Sequence, residues 1–176
     1  MKPEKKRQKP RANASQSLLK ELAQEPGKLF KGAFRVQYGA LCFRQKEKSA
    51  EIEILVITSR DSGRWVIPKG WPMKSKKPHQ AAETEAWEEA GIRGKANKNP
   101  IGRYIYLKQL DDGDVAPVMV EMFQVKVKKT QEDFKERGQR ILAWVSPDEA
   151  ARRVREVELK ALLVNFKPIG ETRASR

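Results

Sequence analysis

GWPMKSKKPHQAAETEAWEEAGI, residues 70–92, leaves an apolar segment at a glycine, crosses a basic loop punctuated by prolines, and enters a run carrying Glu85, Glu88 and Glu89. Pro78 suits a first helical position and Gly91 the residue just past a helix end, so the spacing predicts a helix between them. On that helix the three glutamates fall at i, i+3 and i+4 and project from one face. Like charges crowded together repel one another and add nothing to folding. A divalent cation removes the repulsion, and oxygen-only ligands favour a hard ion such as Mg2+ or Mn2+.

Strand signals flank this helix. Residues 35–44 (RVQYGALCFR) and 51–58 (EIEILVIT) are rich in β-branched and aromatic residues and are separated by the polar QKEKSA, a hairpin pattern. A short strand at 65–67 follows the turn DSG and is broken by Pro68-Lys69-Gly70. Further strands are predicted at 103–108 and 117–127 around the turn Asp111-Asp112-Gly113, then a charged loop at 128–139 and a strand at 140–145 (RILAWV). Ser146-Pro147-Asp148-Glu149 has capping-box spacing. One helix is predicted from there to about Asn165, burying Ala150, Val154, Val157 and Leu162 on a single stripe.

The chain has 176 residues, enough for one domain with a real core. The expected division is a basic tail with a short helix at 17–24 (SLLKELAQ) in residues 1–27, a folded domain at 28–166, and a C-terminal tail at 167–176. No run reaches the roughly 18 to 20 apolar residues of a membrane span. The first fifteen residues lack the apolar segment of a secretory signal, and a single cysteine, Cys42, cannot form an internal disulfide. The expectation is a cytoplasmic chain with Cys42 as core filler. His79, the sole histidine, is expected to be exposed at the helix start and has no Cys or second His with which to bind zinc.

Against 37 Lys and Arg stand 23 Asp and Glu, a net charge of +14, and residues 1–15 alone contribute five of those net charges. Such a field attracts polyanions: polyphosphates, nucleic acid or an anionic surface.

Residues 70–92 read Gly-x5-Lys-x7-Thr-Glu-Ala-x-Glu-Glu-x-Gly-Ile. This resembles the Nudix box, Gly-x5-Glu-x7-Arg-Glu-U-x-Glu-Glu-x-Gly-U, where U is a bulky aliphatic residue. Lys76 and Thr84 depart from it, standing where the pattern has Glu and Arg. With RWVIPKG at 64–70 and LCFR at 41–44, the chain resembles the diphosphoinositol polyphosphate phosphohydrolase branch and its diadenosine-polyphosphate-cleaving relatives. The resemblance implies an α+β fold of Nudix type, an α/β/α sandwich with a mixed sheet between helices. It also implies metal-dependent hydrolysis of a phosphoanhydride in a nucleoside or inositol polyphosphate. By the same resemblance Glu85 and Glu89 are the main metal ligands, with Glu88 and the Gly70 carbonyl completing the set around Mg2+ or Mn2+. Related enzymes often add an acid from a distant loop, for which Glu136 is the first choice and Glu132 and Glu121 follow.

A polyphosphate needs cationic partners, and Arg35, Arg60, Arg64, Lys69, Lys76 and Arg140 are the candidates. Arginine binds phosphate through two parallel hydrogen bonds, lysine as a flexible point charge. In the family pattern the missing Arg bridges to a box glutamate, and stranding one member of a buried ion pair costs about 3–5 kcal/mol. Here both positions differ, which avoids a simple orphan if the two are partners. Two alternatives stay open: removal of a 5′ pyrophosphate or cap from RNA, aided by the basic tail, and a binding module that holds nucleotide or nucleic acid without cleaving it. Three retained glutamates weigh against the last, since an anion binder has no use for them.

Overall fold

The computed structural model describes residues 34–111 and 115–170. The expected N-terminal tail and its helix at 17–24, two residues of the turn at 111–113, and the end of the C-terminal tail lie outside the described residues. The chain divides into two compact units, one of residues 36–106 with 119–176 and one of Met1–Arg35 with Leu107–Val118; the described part of the latter is Arg35 and the adjoining ends of two strands. The larger unit carries the core and the acidic helix.

Eight strands form one mixed sheet: β1 (Arg35–Gln45), β2 (Ile52–Thr58), β3 (Trp65–Val66), β4 (Lys69–Gly70), β5 (Ile92–Ala96), β6 (Gly102–Gln109), β7 (Val115–Thr130) and β8 (Leu142–Val145). Their order is β3-β2-β1-β7-β5, with β4 paired to β1, β6 to β7 and β8 to β2. Among the described residues there are three helices: α1 (Pro78–Ala90), α2 (Pro147–Arg153) and α3 (Val157–Val164).

Consecutive residues of β1 and β2 are all buried, which requires cover on both faces of the sheet. Ala40 and Cys42 of β1 join Leu55 and Ile57 of β2 and Phe123 and Val125 of β7 in the core under α1. Their neighbours Leu41, Phe43, Ile54 and Val56 are as buried and point the other way. There α2 packs on β2 and α3 on α2, and the Phe43 ring meets Phe166, just past α3, edge to face at 5.3 Å. The buried stripe of α1 is alanine at 81, 82, 86 and 90, so its backbone lies close to the sheet and draws the neighbouring Glu89 in with it.

Most predicted elements appear within a residue or two, including α1 from Pro78 to Gly91, and Cys42 is fully buried. Four expectations need correction. The C-terminal helix is two helices, because the chain turns extended at Val154, whose side chain is buried, and restarts after Glu156. That break resets the helical phase: Leu159 and Leu163 are buried, Leu162 only partly, and Val157 is 75% exposed. Strand β5 is absent from the prediction, since IRGKA has no clean alternation, yet it pairs with β7 from Ile92↔Thr130 to Ala96↔Val125 and so extends β7 into the charged segment taken as loop. Those extra residues, 128–130, are exposed, as suits charge on a strand near a sheet edge. His79 is half-buried, 6.4 Å from the Phe123 ring, rather than exposed.

Candidate active site

Glu85, Glu88 and Glu89 occupy the last two turns of α1, near the negative end of the helix dipole, where no basic residue of the helix offsets them. Two connections bring other groups to this end. Gly91 adopts φ 68° and closes the helix with its N–H on the Trp87 carbonyl at 2.9 Å; its own carbonyl accepts from Gln131 N at 2.8 Å, and the Glu88 carbonyl accepts from Glu136 N at 3.0 Å. Residues 131–139 are thereby fastened to the free carbonyls of α1. On the other side β8 pairs with β2, and Thr58 exchanges bonds with Ile141: Thr58 N donates to the Ile141 carbonyl at 3.0 Å and Ile141 N to Thr58 Oγ1 at 2.9 Å. This sets Arg140 against the acidic face.

Arg140, with a side chain 7% exposed, donates from Nη2 to Glu89 Oε1 at 2.6 Å, from Nε to Glu136 Oε2 at 2.8 Å and from Nη1 to the Thr58 carbonyl at 2.9 Å. The second Glu89 oxygen accepts from Lys69 N at 3.1 Å. Pairing of β4 with β1 through Tyr38↔Gly70 and Gly39↔Lys69 aims that amide toward α1. Glu136 also lies 3.3 Å from Arg60 Nη1, and Lys135 Nζ donates to Glu88 Oε2 at 2.8 Å.

Glu85 differs from its neighbours. It has no hydrogen bond and no ion pair among the described residues, and it rests against Gly70, where an added Cβ would overlap its carboxylate. Burial first, then the charges of Glu89, Glu88 and Glu136, push its carboxyl up to about 7, with Lys135 offsetting a little. Burial also raises Glu89, outweighing Arg140 and Lys69. As arranged, no three His, Cys, Asp or Glu side chains among the described residues stand close enough to hold an ion. The donor chemistry nevertheless fits a hard divalent cation: a half-buried carboxylate with no ion pair among the described residues, three more carboxylates within electrostatic reach, and a glycine backbone beside them.

Among the cations expected at the site, Arg60 and Lys69 border the acid cluster. Lys69 Nζ also lies 5.2 Å from the Tyr106 ring. Arg64 is turned to Glu156, 3.1 Å away, beside the buried Tyr104 hydroxyl and the second Glu156 oxygen, which have no hydrogen-bond partner among the described residues. Lys76 Nζ donates to Thr84 Oγ1 at 2.6 Å, so the two residues that depart from the box pattern are partners and brace loop against helix. Arg35 is exposed at the first position of β1. Of the three loop acids, Glu136 alone joins the cluster, Glu121 is paired with Arg103 at 3.0 Å, and Glu132 is exposed. Lys135 was not a candidate, because nothing in the sequence ties it to a glutamate 47 positions earlier.

The family model for the NUDIX domain matches residues 33–164. The chain belongs to the Nudix family. Over 65 residues it is 38% identical to diphosphoinositol polyphosphate phosphohydrolase 3-alpha of Mus musculus, covering 37% of this Nudix chain and 38% of that protein. It is 28% identical over 124 residues to Nudix hydrolase 12, mitochondrial, of Arabidopsis thaliana, covering 69% of this chain and 61% of the relative. The matches thus span about two fifths to three fifths of these curated relatives. Among solved structures, the Nudix fold seen here is similar to a C. elegans Ap4A hydrolase binary complex, with TM-score 0.54, 19% identity and coverage of 74% of this chain and 93% of that one. It is likewise similar to a NUDIX hydrolase from Nitrosomonas europaea, with TM-score 0.53, 19% identity and coverage of 74% and 86%.

Proposed function

We propose that this chain hydrolyses a phosphoanhydride bond in a nucleoside or inositol polyphosphate, of the diadenosine or diphosphoinositol polyphosphate type, with Mg2+ or Mn2+. The observation that carries the reading is Glu85, a half-buried carboxylate that faces three others and has no ion pair among the described residues. The names of the relatives, a diphosphoinositol polyphosphate phosphohydrolase and an Ap4A hydrolase, supply the substrate class. In this reading Glu85, Glu88, Glu89 and the Gly70 carbonyl hold the cation. When bound, the cation neutralises the phosphate oxygens that otherwise repel a nucleophile and polarises the phosphorus.

The chain's own groups do the rest. A water oxygen attacks phosphorus in line with the bridging oxygen that leaves. One carboxylate accepts the water's proton, and Glu136, which comes from a loop rather than from α1, is assigned that role. Arg60 and Lys69 grip the substrate phosphates beside the cluster, joined by Lys76 and Arg64 on longer substrates; Arg140, bonded to Glu89 and Glu136, acts from within the cluster. The catalytic domain is taken as residues 28–166 with a tail at each end, acting in the cytoplasm. A second reading, removal of a 5′ pyrophosphate from RNA, is favoured by the net charge of +14.

One assay separates these. Diadenosine tetraphosphate, a diphosphoinositol polyphosphate and 5′-triphosphate RNA are each offered to wild type and Glu89→Gln with Mg2+ or Mn2+, and released phosphate and nucleotide are measured. Cleavage of one class by wild type, reduced on the order of 100-fold or more in the variant, is expected. Turnover left intact by Glu89→Gln removes the proposal.

A further inference from the structure

Arg140 stands where a cation is wanted. Its guanidinium is the group that spans the acidic face of α1 and the acid from the 131–139 loop, with Glu89 at 2.6 Å and Glu136 at 2.8 Å. Its third bond, to the Thr58 carbonyl at 2.9 Å, goes to backbone and does not depend on either carboxylate. The guanidinium therefore keeps its position if Glu89 turns away. Glu85, on the same face, has no such partner among the described residues.

We infer that Arg140 is a built-in counter-ion that competes with the divalent cation for Glu89. It neutralises the cluster when no ion is bound and sets how tightly an ion binds. This rests on the metal-dependent reading above and adds a residue to it. A cation held by Glu85 and Glu89 places two positive charges near a guanidinium in a site with little water, where like charges repel strongly. Entry of the ion thus requires Nη2 to give up Glu89 Oε1, and Glu89 remains hinged on Lys69 N through its other oxygen. A residue that merely positioned Glu89 would have the opposite effect, since its removal would loosen the ligand and weaken binding.

The test is Mn2+ and Mg2+ binding by titration calorimetry together with thermal unfolding of the full chain, with and without metal, for wild type, Arg140→Gln, Arg140→Lys and Glu85→Gln. Arg140→Gln is expected to unfold at lower temperature without metal, because Glu89 and Glu136 lose their shared counter-ion, and to bind the ion about tenfold more tightly, within the range of ordinary coupling between charged sites. Metal should therefore raise its Tm by more than it raises that of wild type. Arg140→Lys keeps the charge but lacks the planar fork that reaches Glu89, Glu136 and the Thr58 carbonyl from three separate nitrogens; it is expected to fold and to shift affinity the same way by less, so the inference can be read even if the glutamine variant does not fold. Affinity unchanged or weakened in the folded Arg140 variants overturns it while leaving the metal reading intact. Metal binding absent from wild type and both Arg140 variants, or unaffected by Glu85→Gln, overturns the metal reading and this inference with it.

Discussion

A carboxylate with a carboxyl pushed up to about 7 by burial and by three acidic neighbours titrates where cells live. Glu85 holds its proton more tightly in the folded chain than at its ordinary value of 4.5, so its contribution to metal-free stability is complete below that pH and is lost as pH rises through about 7. Measured as Tm without metal from pH 5 to 8, wild type should therefore lose stability relative to Glu85→Gln, and a saturating divalent cation should abolish that difference. A pH profile parallel in the two proteins contradicts the account of Glu85. At this scale much was legible beforehand: the i, i+3, i+4 spacing alone places three carboxylates on one face, and Gly91 alone announces the helix end. What could not be read is which cation pairs with which acid: Arg140 is legible as a cation of the site but not as the partner of Glu89, 51 positions earlier, and nothing local selects Lys135, 47 positions from Glu88, from 37 basic residues.

Elements impose a second set of constraints, because α1 is held at both ends by other segments. Its start is closed by Lys77 N on Gln80 Oε1 at 2.9 Å and braced by Lys76 on Thr84. Its end depends on Gly91 at φ 68°, where an added Cβ would run into the Gln131 carbonyl and the Phe134 ring. Gly91→Ala is expected to cost more than the roughly 1 kcal/mol of an ordinary left-handed position, because the 131–139 loop must also move. Chemical denaturation gives the stability change, and metal titration should show weaker binding, since Glu136 is carried on that loop. A loss of about 1 kcal/mol or less, with unchanged metal affinity, contradicts the coupling of helix end to loop. The sequence disclosed α1 well because proline, alanine stripe and glycine agree with one another. It disclosed the C-terminal helices poorly: Ser146 and Pro147 mark a start, but no glycine or proline marks the break at Val154, a residue that is extended and buried where a single helix would also have buried it.

For the molecule as a whole, strand order is the feature least accessible to reading, since β5 finds β7 across about thirty residues and β8 finds β2 across more than eighty. Hydrophobic runs decided which segments became strands, whereas partner choice came from how α1 covers one face and α2 with α3 the other. Net charge is legible at once and its use is not. Among the described residues no helix is long and apolar enough to cross a membrane. If RNA is a substrate, deleting residues 1–15 should make the logarithm of its affinity fall less steeply with the logarithm of salt, by about 0.7 for each phosphate that the tail no longer neutralises, while hydrolysis of a small polyphosphate stays unchanged. Equal losses on both substrates would place the tail's effect elsewhere than in nucleic-acid binding.

The separation between α1 and the groups that answer it has a bearing on how the protein is made. On the ribosome the three glutamates emerge well before Lys135 and Arg140, so the growing chain carries the acids without the two side chains that pair with Glu88 and Glu89 until those later residues have been translated. Closure of the acidic end of α1 is therefore a late event in biosynthesis, and an interrupted chain that stops short of residue 130 has the acids without the loop that answers them.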